Sequence, residues 1–229
     1  MLVLPMPNGG VATQEFEPEE VDGSAPERGG YLGGVTLGNA LWRAKWGLSR
    51  NLQRDASDEW RAFLARLRRS QRPFLGYDRD RLYPKLYRDG FSRMTRPDGS
   101  AFDGSAATWS AAADSDENDL LTLTDLPGNF RLSLGDYIGF KWDAEGSDAG
   151  TYDRRALVRA VGIARADAAG QLSVMVEMPV PTGVIPSGAV AHLDRPCCVM
   201  RLVGGTLGAL DNRQKIAGGT IEALQDLRP

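Results

Sequence analysis

Histidine and cysteine are nearly missing from this chain of 229 residues, which has one histidine, His192, and two cysteines, the neighbours Cys197 and Cys198. A lone histidine in the strand-like context AVAHLD gives no cluster for zinc. No GxSxG elbow accompanies it, since DGSAF and DGSAA do not form one, so a Ser-His triad is not expected. Adjacent strand residues point to opposite faces and a vicinal disulfide is strained, so the cysteines of RPCCVMRLV read as two reduced, half-buried thiols. No apolar run approaches the roughly 18 residues of a membrane span, and Met1-Leu2-Val3-Leu4-Pro5 lacks the basic start and long apolar stretch of a secretion signal. Synthesis in the cytoplasm is expected. An excess of positive charge is missing too: 27 Lys and Arg against 30 Asp and Glu leave a net charge of -3, which excludes general affinity for nucleic acid. The glycines of GGYLGGVTLG match neither a dinucleotide fingerprint nor a P-loop, and no cofactor is expected.

What the chain does have is turn material. Its 27 glycines and 13 prolines beside 42% hydrophobic residues point to many short strands. The length fits one large domain or two small ones. After the acidic group Glu15, Glu17, Glu19, Glu20 and Asp22, which reads as a solvated face, GSAPERGGYLGG reads as an exposed loop or arm.

The pattern tightens from Leu41 to Tyr83. Trp42, Ala44, Trp46 and Leu48 alternate with Arg43, Lys45, Gly47 and Ser49, the period-two signature of a half-buried strand. Asp55 and Ser57 are candidate caps for a helix over about 57–70, with Asp58 and Glu59 in its first turn. Trp60, Phe63, Leu64 and Leu67 then make one apolar stripe, each contributing on the order of 1.5–3 kcal/mol when buried. Arg72-Pro73 is the expected stop, and Phe74, Leu75 and Tyr77 re-enter a sheet. Low aliphatic content between Tyr87 and Asn118 marks a domain transition near Gly90. Beyond it LLTLTDL, FRLSLGDYIGFKW, RRALVRAVGIARA, QLSVMVEMPV and RPCCVMRLV supply strands separated by turns, the pattern of a small barrel or sandwich. GGTIEALQDLRP reads as a last strand.

Few residues invite chemistry. Asp114, Asp116, Asn118 and Asp125 approximate a calcium loop, but its position 6 is Asp119 and its flanks are strands, so a solvated loop is the expectation. Glu17 with Glu19, or Asp136 with Asp143, would suit a glycosidase only at the right spatial separation. Trp109, Tyr137, Trp142 and Tyr152 offer either core packing or a sugar-stacking platform, with Trp109 and Trp142 the candidate sugar contacts of a carbohydrate-binding module. Arg61, Arg66, Arg68, Arg69 and Arg72 lie off the helix stripe; in an acidic protein they suit intersubunit pairs or solvent.

The order LWRAKWGLS, DEWRAFLARLR, PFLGYD resembles the belt domain of the distal tail proteins of long-tailed bacteriophages and gene transfer agents. LSLGDYIGF, RRALVRAV, ADAAGQLSVMVEMPVP and RPCCVMRL are similar to that family's inserted barrel, and GGTIEALQDL to the strand that returns to the belt. The resemblance implies a mainly β fold: a β-sandwich belt domain over residues 1–89 with one packed helix, completed by the C-terminal strand 206–229, and a small β-barrel-like second domain over 90–205. It implies a core of Trp42, Trp46, Trp60, Phe63, Leu64, Leu67 and Phe74, and a subunit interface at Arg61, Arg66, Arg68, Arg69 and Arg72, with Gly23–Gly34 as an arm. It implies no enzyme. The expected role is a structural virion protein at the tail tip, assembled in the host cytoplasm into a homohexameric ring between the tail tube protein and the hub or baseplate proteins.

Overall fold

A computed structural model describes residues 3–19, 22–26, 32–36, 39–49, 52–113, 119–143, 152–207 and 218–227. Strands β1 (Leu4–Pro5), β2 (Val11–Glu19), β3 (Asp22–Pro26), β4 (Leu32–Thr36) and β5 (Leu41–Leu48) precede helix α1 (Arg54–Leu67), and β6 (Phe74–Gly76) follows it. A long irregular segment leads to β7 (Trp109–Ala113), β8 (Asp119–Leu123), β9 (Arg131–Leu132), β10 (Tyr137–Trp142), β11 (Arg154–Ala160), β12 (Ala164–Arg165) and β13 (Leu172–Glu177). The chain closes with β14 (Val190–His192), β15 (Cys198–Leu207) and β16 (Gly219–Gln225). The fold is mainly β, and its sheets pack in a sandwich-like arrangement.

The first six-stranded sheet runs β1-β6-β15-β16-β5-β2 and the second β14-β10-β11-β13-β8-β7; β3 with β4 and β9 with β12 form two-stranded ribbons. Period two in β5 has the expected consequence: Trp42, Ala44, Trp46 and Leu48 are buried, while Arg43 and Lys45 are exposed. Helix α1 covers part of that inner face. Trp60 meets Phe63 edge-on at 5.7 Å, Phe63 meets Phe74 at 5.3 Å, and Phe74 meets Trp46 at 6.1 Å, an aromatic chain from helix to sheet. The Trp60 indole N–H also donates to the Gly9 carbonyl at 2.8 Å. Leu67 is fully buried in the same cluster, while Leu64 sits half-buried at its rim.

The helix is shifted about one turn N-terminal to the expected 57–70. Gln53 precedes it in extended conformation with no side-chain cap, Asp55 lies inside the first turn, and Ser57 is buried in the helix with its N–H on the Gln53 carbonyl at 3.0 Å. Its end is set by backbone geometry well before Pro73. Arg68 and Arg69 both take left-handed conformations, φ 48° and 62°, and the Arg68 N–H closes on the Ala65 carbonyl.

Two further expectations are corrected. Strand β15, which the sequence pattern assigned to the second domain, pairs Cys198 with Gly76, Val199 with Leu75 and Met200 with Phe74, and then runs antiparallel to β16; it belongs to the first sheet. The second sheet, in turn, is not a closed barrel: β14 and β7 end it with no ladder between them among the described residues, and the irregular chain ahead of β7 reaches β14 through the bridge of Ser105 with His192. Irregular chain covers its core face instead. Phe91, Phe102 and Ala106 are buried there with Tyr83, Tyr87 and Met94 packed against them, so chain from before Gly90 already serves the second core. Arg96 pins this segment: its guanidinium donates to the Asp125 carbonyl and carboxylate, to Asp103 and to the Ser105 carbonyl, each at 2.8 Å, and lies over Phe102.

Candidate interaction surface

The last turn of α1 presents the cationic group singled out in the sequence. Arg66, Arg68, Arg69 and Arg72 are exposed, and Arg72 reaches back to the Arg66 carbonyl at 3.4 Å. Arg61, nearly two turns earlier, is half-buried. Because Arg68 and Arg69 are left-handed, the chain doubles back at Ser70 and Gln71, whose carbonyls accept from Arg201 Nη1 at 2.6 and 3.2 Å. Arg201 Nε in turn donates to Asp226 at 2.6 Å, fixing the helix end against β15 and the C-terminal strand.

Beside that clamp the register of β15 against β16 slips between Leu202 and Gly204. A bulge of this kind turns a side chain out of the ladder, and Val203 is 65% exposed. Leu64, Arg69 and Ser70 on the helix side and Leu202, Val203 and Gly204 on the strand side enclose a groove of about 550 Å³. It is apolar along its floor and cationic at its rim. Sequence reading found the cations but missed the groove, since the bulge depends on pairing with β16; the glycine pair Gly204-Gly205 was its one visible signal.

The opposite charge is concentrated on the outer face of the first sheet. Glu15 and Glu17 stand across from Lys45 and Arg43, with Glu19 and Glu222 alongside. Arg43 pairs with Glu19 at 3.0 Å and Glu222 at 3.7 Å, and Lys45 with Glu222 at 3.5 Å. Exposed pairs of this kind contribute about 0–1 kcal/mol each, so this face shapes surface potential more than stability. The expected solvated acidic face is therefore interleaved with cations. The arm stretch Gly23–Gly34 overlaps the two-stranded ribbon in which Asp22 pairs with Thr36 and Pro26 with Leu32, which pairs with neither large sheet among the described residues; residues 27–31 lie outside the described residues.

Other sequence candidates are assigned different work. Trp142 is 7% exposed in the second core, which rules it out as a stacking platform for sugar. Trp109 is half-buried, edge-on to Phe140 at 4.8 Å, and its indole N–H is spent on the Ala189 carbonyl at 2.7 Å. Buried Asp136 accepts the N–H groups of Lys85 at 2.8 Å and Ser133 at 2.7 Å; burial raises its pKa despite these donors, and it serves as a staple for the irregular segment. Glu17 is engaged by Arg159 at 2.7 Å. Asp114, Asp116 and Asn118 lie outside the described residues, and Asp125 of that calcium pattern is held by Arg96.

His192 is 6% exposed, with Nδ1 3.0 Å from the Asp194 carbonyl. Burial, then the charges of Lys141 and Arg155, pushes its pKa down to about 3. Cys197 and Cys198 are both buried free thiols. No group of three or more metal-ligating side chains is found among the described residues, and no helix there is long and apolar enough to cross a membrane. A scan against protein-family models gives no match, and a search of curated proteins gives none.

Proposed function

We propose that the protein is a structural component of a bacteriophage tail tip, a homohexameric ring that joins the tail tube to the hub or baseplate. The observation that carries this reading is the strand-helix-strand between Leu41 and Gly76. Its order resembles the belt domain of distal tail proteins, and its aromatic chain packs as one unit while four arginines at the helix end face outward beside an apolar groove. A rigid element with an apolar floor and cationic rim suits a protein contact, where arginine is favoured and a well-packed centre supplies the affinity. The acidic outer face of the first sheet offers a complementary charge for a neighbouring copy. In a head-to-tail ring each copy presents two different surfaces, and closure gives a channel that matches the tube above to the hub below.

Purified particles test the proposal. Cryo-electron microscopy of the tail tip with a tagged chain is expected to show a ring of copies at the junction of tube and tip. Particles without the chain, or with it at another site, would overturn the reading.

A further inference from the structure

A second recess, away from the helix end, lies beside the terminal strand of the first sheet. It encloses about 500 Å³ between the N-terminal residues and the chain that leaves β6 and enters β15. Met6, Leu75 and Leu82 give it an apolar lining; Asn8, Arg79 and Arg195 supply its polar groups. Its size falls in the range of about 300–1,000 Å³ typical of ligand sites.

The cations are the telling feature. Neither Arg79 nor Arg195 makes an ion pair within 4 Å with a described carboxylate. The acids flanking Arg79 are occupied elsewhere: Asp78 and Asp80 both accept from the side-chain amide of Gln14, Asp80 at 3.0 Å. Arg195 is exposed, with the Tyr83 side chain as its hydrogen-bond partner and the neighbouring Asp194 charge close by, and no described carboxylate pairs with it directly. The Tyr77 hydroxyl donates to the Asn8 side-chain oxygen at 2.8 Å, which leaves the Asn8 amide N–H groups as donors. Behind the Cys197 thiol at the edge of the recess, the Arg155 guanidinium adds positive charge. β1 is the end strand of its sheet, pairing only with β6 through Leu4 and Pro5, so its outer edge has no sheet partner among the described residues.

We infer that this recess binds an extended peptide segment of a partner protein in which a carboxylate-bearing residue is flanked by apolar ones. Arg79, Arg195 and the Asn8 amide take the carboxylate, and Met6, Leu75 and Leu82 take the apolar neighbours. An alternating acidic and apolar strand presents those two chemistries to opposite sides, as a recess with a charged mouth and an apolar lining requires. The net charge of -3 and the apolar lining favour such a peptide over nucleic acid. The site is separate from the arginine-rimmed groove and does not depend on the ring reading.

Fluorescence anisotropy of the full chain with a fluorescein-labelled hexapeptide alternating leucine and glutamate tests this, with its leucine-glutamine counterpart beside it. The acidic peptide is expected to bind about tenfold or more tighter than the neutral one, and Arg195→Gln to weaken it about tenfold, the size of one charge-assisted bond. Arg195 is exposed, so that variant keeps its near-ultraviolet circular dichroism; Arg79→Gln adds a second loss, and Arg131→Gln, exposed on β9, leaves binding unchanged. Equal affinity for both peptides, no binding at millimolar peptide, or affinity untouched by the two substitutions together would overturn the inference. So would displacement by succinate at concentrations equal to the peptide, which would make this a small-anion site.

Discussion

The indole N–H of Trp42 donates to the carbonyl of Leu157 at 2.7 Å, and both groups are buried. This bond joins the two large sheets. Around it Phe16 stacks on the Trp42 ring at 5.2 Å, Tyr137 meets it edge-on at 5.5 Å, and Arg159 lies over it at 5.4 Å while also pairing with Glu17 and Glu177. One face of β5 therefore has two partners. Trp46 lies toward the helix through Phe74, and Trp42 lies toward the second sheet.

Replacing Trp42 by phenylalanine keeps an aromatic ring but removes the donor. The Leu157 carbonyl is left buried without it, which is expensive by about 1–3 kcal/mol, and the lost ring volume adds to that. Urea denaturation is expected to show a destabilisation of about 2–4 kcal/mol. Because the substitution strikes the contact between sheets, fluorescence of the remaining tryptophans and far-ultraviolet circular dichroism should cease to give coincident transitions. Coincident curves with unchanged midpoint would show that the sheets are held by other contacts.

The two tryptophans of β5 were legible because one buried face of a strand imposes period two on its own sequence. The stripe Trp60, Phe63, Leu67 was legible for the same reason at period 3.6. What the helix end does was not: Arg68 and Arg69 carry the left-handed turn that glycine or asparagine normally announces. Alternation in CVMRLV identifies a strand but not its partner, and Cys198 meets Gly76 only through long-range pairing. Trp142 was ambiguous because β10 is buried on both faces over most of its length, which erases the alternation that separates core from platform. The peptide recess was invisible for a related reason. Arg79 and Arg195 are distant in sequence and are brought together only by the packing of loop segments around the edge of the first sheet.

His192 makes stability depend on pH. Its Nδ1 contacts the Asp194 carbonyl, so the neutral ring carries its proton there and Nε2 is the bare nitrogen, packed over Gly139, whose added Cβ would lie 2.6 Å from it. With the folded pKa down at about 3 and the ordinary value at 6.5, the unfolded chain binds more protons throughout that window. The stabilising contribution is complete above about pH 6.5 and is lost as pH falls toward 3. At about 1.4 kcal/mol per pH unit, roughly 2–3 kcal/mol is lost by pH 4.5. His192→Leu is expected to flatten this limb of a urea-midpoint profile between pH 7 and 4.5; a slope identical to that of the parent chain would assign the acid sensitivity to other groups.

The final prediction separates stability from assembly at the end of α1. Arg68 holds φ 48° and ψ 51°, a conformation that costs an L side chain roughly 1 kcal/mol and glycine almost nothing. Arg68→Gly is therefore expected to raise or hold the stability of the isolated chain, by about 0–1 kcal/mol after the extra freedom of glycine in the unfolded state is offset. Under the ring reading the guanidinium is retained for the neighbouring subunit, so the same substitution should weaken assembly while the monomer melts no lower. Thermal denaturation of the monomer and sedimentation of reconstituted tail tips measure the two quantities separately. A variant that loses stability and assembles normally would place Arg68 in the fold alone. Gain of stability with loss of assembly is the combination that only an interface residue in a strained position produces.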